Sequence, residues 1–194
     1  MITYGEAIKG ILEKSIKVII SKDEMIQISN WVNMLVQTKK VENGFYKNRT
    51  KESLQYGFDS GYQAEFGVQK CLKINFIDWS IRTDKKLQDY NFADLKNIGL
   101  DIGVKTRRYG KFPLVSINPT TPEIITVEIV NSELEQIEIY ICGYATVECL
   151  KKYSNKNFSD PPDAVGKKML FFGYEHLLPF KTIDDLKNLL KNET

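Results

Sequence analysis

The chain has 194 residues, 42% of them hydrophobic and 27% charged, with a formal net charge of +2. That is the make-up of a soluble globular protein, read as one domain over 1–194, and so small a net charge neither demands nor excludes a polyanionic partner. A single histidine excludes any chemistry that needs two per chain, and three cysteines without a CxxC pair argue against a zinc cluster or a disulfide framework.

The N-terminal stretch has no long apolar run followed by a small-residue cleavage site, which predicts no signal peptide, no membrane span, a cytoplasmic location and reduced, mostly buried thiols. Residues 5–20, "GEAIKGILEKSIKVII", carry apolar side chains at helical spacing. Residues 21–37 repeat that pattern behind Ser21, with Glu24 placed to complete a capping box. A basic segment, residues 39–53, follows with Gly44 and Asn48 as breakers, and a further helix is expected over 61–73. From residue 74 the alternation becomes that of strands. "INFIDWSIR" (74–82) reads as one, "YNFADLKNIGLDIGVKTR" (90–107) as a hairpin turning at Asn97 to Gly99, and "FPLVSIN" (112–118) as another strand. "EIITVEIVN" (123–131) and "LEQIEIYICGYA" (134–145) form a second hairpin, turning at Asn131 to Glu133. A short helix follows Thr146, then a loop over 154–168, and the amphipathic "TIDDLKNLLKN" (182–192) closes the chain. Helices, then mostly antiparallel strands, then helices predict a mixed α/β (α+β) fold: a central mixed sheet flanked by helices. It divides into a helical N-terminal part (1–58), a core (59–155), and a loop with the C-terminal helix (156–194).

The segment 100–112, "LDIGVKTRRYGKF", holds the unusual chemistry. If the hairpin turns at Asn97 to Gly99, facing residue numbers sum to about 195–197. Asp94 then lies opposite a residue between Asp101 and Gly103, and Asp101, Gly103 and Lys105 share one face of the second strand. Two carboxylates that close repel unless a cation separates them, and either a divalent metal or Lys105 can serve.

An acid on one strand, a turn, then acid-x-lysine on the next, behind a helical glutamate, resembles the PD-(D/E)XK superfamily of restriction-endonuclease-like nucleases. The likeness spans about half the chain on the usual domain scale, Gly61 to Tyr153. It implies a restriction-endonuclease-like core and a Mg- (or Mn-) dependent endonuclease acting on DNA or RNA. Matched residue by residue, Glu65 stands for the helix glutamate, Asp94 for the first strand acid, Lys105 for the lysine, and the Val104 backbone carbonyl for a further metal contact. The pattern breaks at Gly103, where the superfamily has Asp or Glu. Two answers stay open: Asp101, two residues back, supplies the carboxylate, or the fold keeps binding to nucleic acid or protein and has lost cleavage. Arg107, Arg108, Tyr109 and Lys111 are expected to hold flanking phosphates and to stack on bases. Cutting both strands with one such site calls for a homodimer.

Each residue also has a plain reading: Asp94 as a turn former, Asp101 and Lys105 as a surface ion pair worth about 0.2–1 kcal/mol, and the basic edge as a guard against aggregation. Trp79 reads as core and His176 as a hydrogen-bonded structural residue.

Overall fold

The computed structural model describes residues 3–38, 50–81, 94–155 and 168–192. A four-stranded mixed sheet organises them, in the order β1 (Ile16–Ile20), β5 (Gln136–Ala145), β4 (Glu123–Asn131), β2 (Gly103–Arg108). The β1–β5 and β4–β5 pairs are antiparallel, whereas β2 runs parallel to β4. A second sheet, β3 (Leu114–Ser116), β7 (Lys168–Phe171) and β6 (Ser154–Asn155), is antiparallel throughout.

The alternation of β4 and β5 has a physical reading: both faces of the main sheet are covered. Ile124, Ile137 and Ile139 join one core with Val32 and Leu35 of α3 (Lys22–Thr38) and Ala64 and Val68 of α4 (Lys51–Leu72). Ile125 and Val127 join another with Val115, Phe171 and Tyr174, under α1 (Tyr4–Ile8). A Cβ at Gly67 would come within 3.0–3.2 Å of Ile139, so α4 lies close on the sheet. Among the described residues the remaining α-helices are α2 (Ile11–Lys14), α5 (Val147–Lys152) and α6 (Ile183–Lys191).

Several predicted elements stand. Ser21 and Glu24 form the reciprocal bonds of a capping box at the head of α3, at 2.8 and 3.3 Å. The second hairpin, the helix after Thr146 and the C-terminal helix are present, and the hairpin turns at 132–135 with Glu135 at φ 48°. All three cysteines are free thiols. Among the described residues no helix is long and apolar enough to cross a membrane.

Other expectations are corrected. The helix predicted through Ile20 ends at Lys14, because Ile16, Val18, Ile19 and Ile20 are β-branched and pair with β5 instead. The helix predicted from Gly61 starts at Lys51, capped by Thr50, whose hydroxyl accepts from the Ser53 N–H at 3.2 Å. Residues 74–81 form no strand. They are tied down by side chains, with Gln69 accepting from the N–H groups of Phe76 and Ile77 and Trp31 Nε1 donating to the Trp79 carbonyl at 2.5 Å. The first arm of the predicted 90–107 hairpin lies largely outside the described residues. Its second arm, β2, is hydrogen-bonded to β4 in parallel.

Candidate active site

Parallel pairing of β2 with β4 puts Gly103 beside Glu123, and the missing side chain of Gly103 makes room for that carboxylate. A Cβ at 103 would overlap Glu123 Oε2 and lie 2.8 Å from its carboxyl carbon. Glu123 therefore fills the space that an acid two residues before Lys105 would occupy. The prediction that Asp101 leans over this gap is corrected: Asp101 is exposed on the segment before β2, and among the described residues it has no bond to Lys105. Period-two alternation does put it on the Gly103 side of an extended chain, but β2 begins only at Gly103.

Glu123 Oε1 lies 3.5 Å from the Lys105 ammonium, their side chains 10% and 30% exposed. Its Oε2 is buried without a hydrogen-bond partner. Burial raises the Glu123 pKa above the ordinary carboxylate value, and Asp94 nearby adds to the rise, against the pull of Lys105 and Lys168.

Asp94 belongs to a tight turn rather than to a paired strand. The Leu95 N–H donates to the Ile102 carbonyl and the Leu100 N–H to that of Leu95, which folds the 95–102 segment back on itself. Gly99 at φ 80° is the left-handed position that closes the turn. This geometry brings Asp94 Oδ2 to the Val104 N–H at 2.5 Å. Val104 is thus a donor to the acid cluster through its amide.

Glu65 arrives from α4 and is half-buried. Burial, then the charge of Asp94, pushes its pKa well above the usual carboxylate range. Burial also raises Asp94, against Lys105 and the Val104 amide, while the hydrogen bond from Glu65 pulls Asp94 down. Glu65 and Asp94 therefore titrate as a coupled pair, since burial disfavours two charges at once. Burial works to lower the Lys105 pKa, but Glu123, Asp94 and Glu65 together hold it above the ordinary ammonium value. Lys105 is the shared counter-ion of three acids.

The structure thus gathers Glu65, Asp94 and Lys105 as the sequence predicts, leaves Asp101 in solvent, and adds Glu123. The flanking cations differ in state. Arg108 is salt-bridged to Glu128 at 3.0 Å and lies over the Tyr56 ring at 4.6 Å, Arg107 is half-buried, and Lys111 is exposed. Tyr109 is 54% exposed and meets Tyr4 edge-on at 5.4 Å. Trp79 is 36% exposed, wedged among Trp31, Tyr62 and Phe66, and His176 stacks on Tyr153 at 3.8 Å.

The acid cluster offers the donor type that a divalent cation takes. The donors are all oxygens, as magnesium and manganese require, and Glu123 Oε2 is an unused buried acceptor. Among the described residues, however, no three acid, histidine or cysteine side chains already stand together as a metal cage.

No family model matches this chain, and no curated protein or solved structure matches it either.

Proposed function

We propose that the protein is a metal-dependent nuclease of the PD-(D/E)XK kind, hydrolysing phosphodiester bonds of DNA, with its second acid carried by Glu123 on the neighbouring strand. The observation that carries this reading is the complementarity of Gly103 and Glu123. An acid displaced from β2 by one strand, into the space vacated by a glycine, keeps the spatial relation of acid and lysine while changing the sequence that encodes it.

Asp94 and Glu123 would hold magnesium or manganese, with Glu65 beside them. Such an ion, when bound, lowers the pKa of a water and stabilises charge on phosphorus. The chain's own residues do the rest. Lys105 positions the attacking water or a phosphate oxygen with a positive charge that does not depend on the cation. The Val104 amide fixes the Asp94 carboxylate, and β2 sets the distance between Lys105 and the acids. The buried surroundings strengthen each of these interactions relative to water.

Nicking of a supercoiled plasmid in magnesium or manganese tests this. Asp94→Ala, Lys105→Ala and Glu123→Gly are each expected to lower the rate by about 10²–10⁴-fold. Asp101→Ala is expected to leave it unchanged. The reciprocal variant, Glu123→Gly combined with Gly103→Glu, returns the acid to β2 and restores both nicking and manganese binding, whereas Gly103→Glu alone misfolds or melts early because Glu123 already occupies the space. Wild-type protein that cuts neither the plasmid nor single-stranded DNA, or nicking that survives Asp94→Ala and Lys105→Ala, overturns the reading.

A further inference from the structure

Beside the acid cluster a cleft of about 420 Å³ runs between α4 and β2. On the helix, Ser53, Gly57 and Gly61 recur every fourth residue, a stripe of small side chains that leads along one face to Glu65. A Cβ at Gly61 meets nothing within 4 Å. Glycines inside a helix cost stability, and here they keep a channel open where larger side chains would close it.

The opposite wall is cationic. Lys105, Arg107 and Arg108 line it with Lys111 just beyond, and no carboxylate lines the cleft among the described residues. Glu123 and Glu128 hold Lys105 and Arg108 in place, so these two cations are fixed in direction. Arg107 and Lys111 add positive charge along the strand and its turn, beside Lys105 and Arg108 that carboxylates already compensate, which suits successive phosphates of one chain.

About 420 Å³ is in the range of pockets that take a small molecule, roughly 300–1,000 Å³, so the cleft has room for about one nucleotide of an unpaired strand at a time. We infer that the α4–β2 cleft seats one unpaired nucleic-acid strand and leads its backbone to Lys105, which makes single-stranded substrate the preferred one. This rests on the nuclease reading for what happens at the end of the cleft, but the seating of the strand can be measured without cleavage.

The test is fluorescence anisotropy in EDTA, with a labelled short thymidine oligonucleotide and a duplex of equal length. The unpaired strand is expected to bind the wild-type protein about tenfold or more tightly than the duplex, with affinity falling as salt rises. Gly61→Leu is expected to weaken binding by about tenfold or more without lowering the melting temperature, since leucine is the better helix former. Gly61→Ala, which leaves the channel open, is expected to bind as wild type does. Lys111→Ala, at the exposed mouth, is expected to reduce the salt slope by about 0.7. Equal or tighter binding of the duplex, or full binding by Gly61→Leu, overturns the inference. The two readings separate cleanly: strand binding blocked by Gly61→Leu in a protein that never nicks sinks the nuclease and leaves the cleft. Nicking by a protein whose Gly61→Leu variant still binds and cuts does the reverse.

Discussion

Two glutamates of β4 face two cations of β2, and the pairs differ in how completely they are satisfied. Glu128 is fully buried and closed: Arg108 Nε donates to one oxygen at 3.0 Å and the Ser60 hydroxyl donates to the other. Glu123 lies on the same strand, pairs with Lys105 at 3.5 Å, and keeps one buried oxygen without a partner. Two more acids, Glu65 and Asp94, crowd the same ammonium. One pair reads as architecture. The other is an incomplete electrostatic arrangement, with a buried acceptor that carries a desolvation cost no hydrogen bond offsets.

The largest expected break in this comparison is at the closed pair. Glu128→Ala removes the acceptor of both Arg108 and Ser60 and opens a gap beneath α4. Arg108 is half exposed and can turn to solvent, so the expected loss is about 2–3 kcal/mol, not that of a stranded buried charge. Urea melts read it directly. A loss smaller than that of Glu123→Ala would reverse the assignment of which pair is structural.

How far the sequence shows this difference depends on whether the signal is local. The alternation of 123–131 and 136–145, the Ser21–Glu24 capping box and the amphipathic 183–191 helix are each written within a few residues and appear as expected. β1 carries two local signals at once: Ile16, Ile19 and Ile20 fit helical spacing, while the β-branched run favours a strand, and the free edge of β5 decides for the strand. Glu123 carries no local signal at all. It looks like the first residue of a buried strand behind Pro122, and it reaches Gly103 only because β2 and β4 run parallel. The one clue is Gly103 itself, since a glycine inside a strand often marks a place where another group comes close. Asp101 was the nearer acid along the chain, but the side chain that fills the gap comes from across the sheet.

A smaller effect sharpens the open site. Glu65→Gln keeps a donor toward Asp94 and removes one of three acids competing for Lys105. In the metal-free protein at neutral pH it is expected to raise stability on the order of 1 kcal/mol, while nicking falls. Gain of stability with loss of activity is the signature of a residue kept for function. Loss of both would make Glu65 part of the packing of α4 and nothing more.

The smallest effect probes how well the closed pair is insulated. Asp59, on α4 near Glu128, accepts weakly from the Ser29 hydroxyl at 3.4 Å and keeps its other oxygen unpaired. Burial, with a contribution from the Glu128 charge, raises its pKa from 3.8 to about 6. A carboxyl whose folded value is raised binds more protons in the folded state than in the unfolded one between those two values. Its contribution is therefore most favourable below the unfolded value, and stability falls as pH climbs through the window to about 6, staying lower above it. Asp59→Asn removes that fall. Because Asp59 is only half-buried, the gain above the window is expected to stay below about 1 kcal/mol, a rise of at most about 2–4 °C in melting temperature. Thermal melts at about pH 4 and about pH 8 should show the two proteins close together in acid and Asp59→Asn ahead in base. If the variant melts lower at the higher pH, Asp59 is a partner that Glu128 needs, and the closed pair is held by a wider network than Arg108 and Ser60.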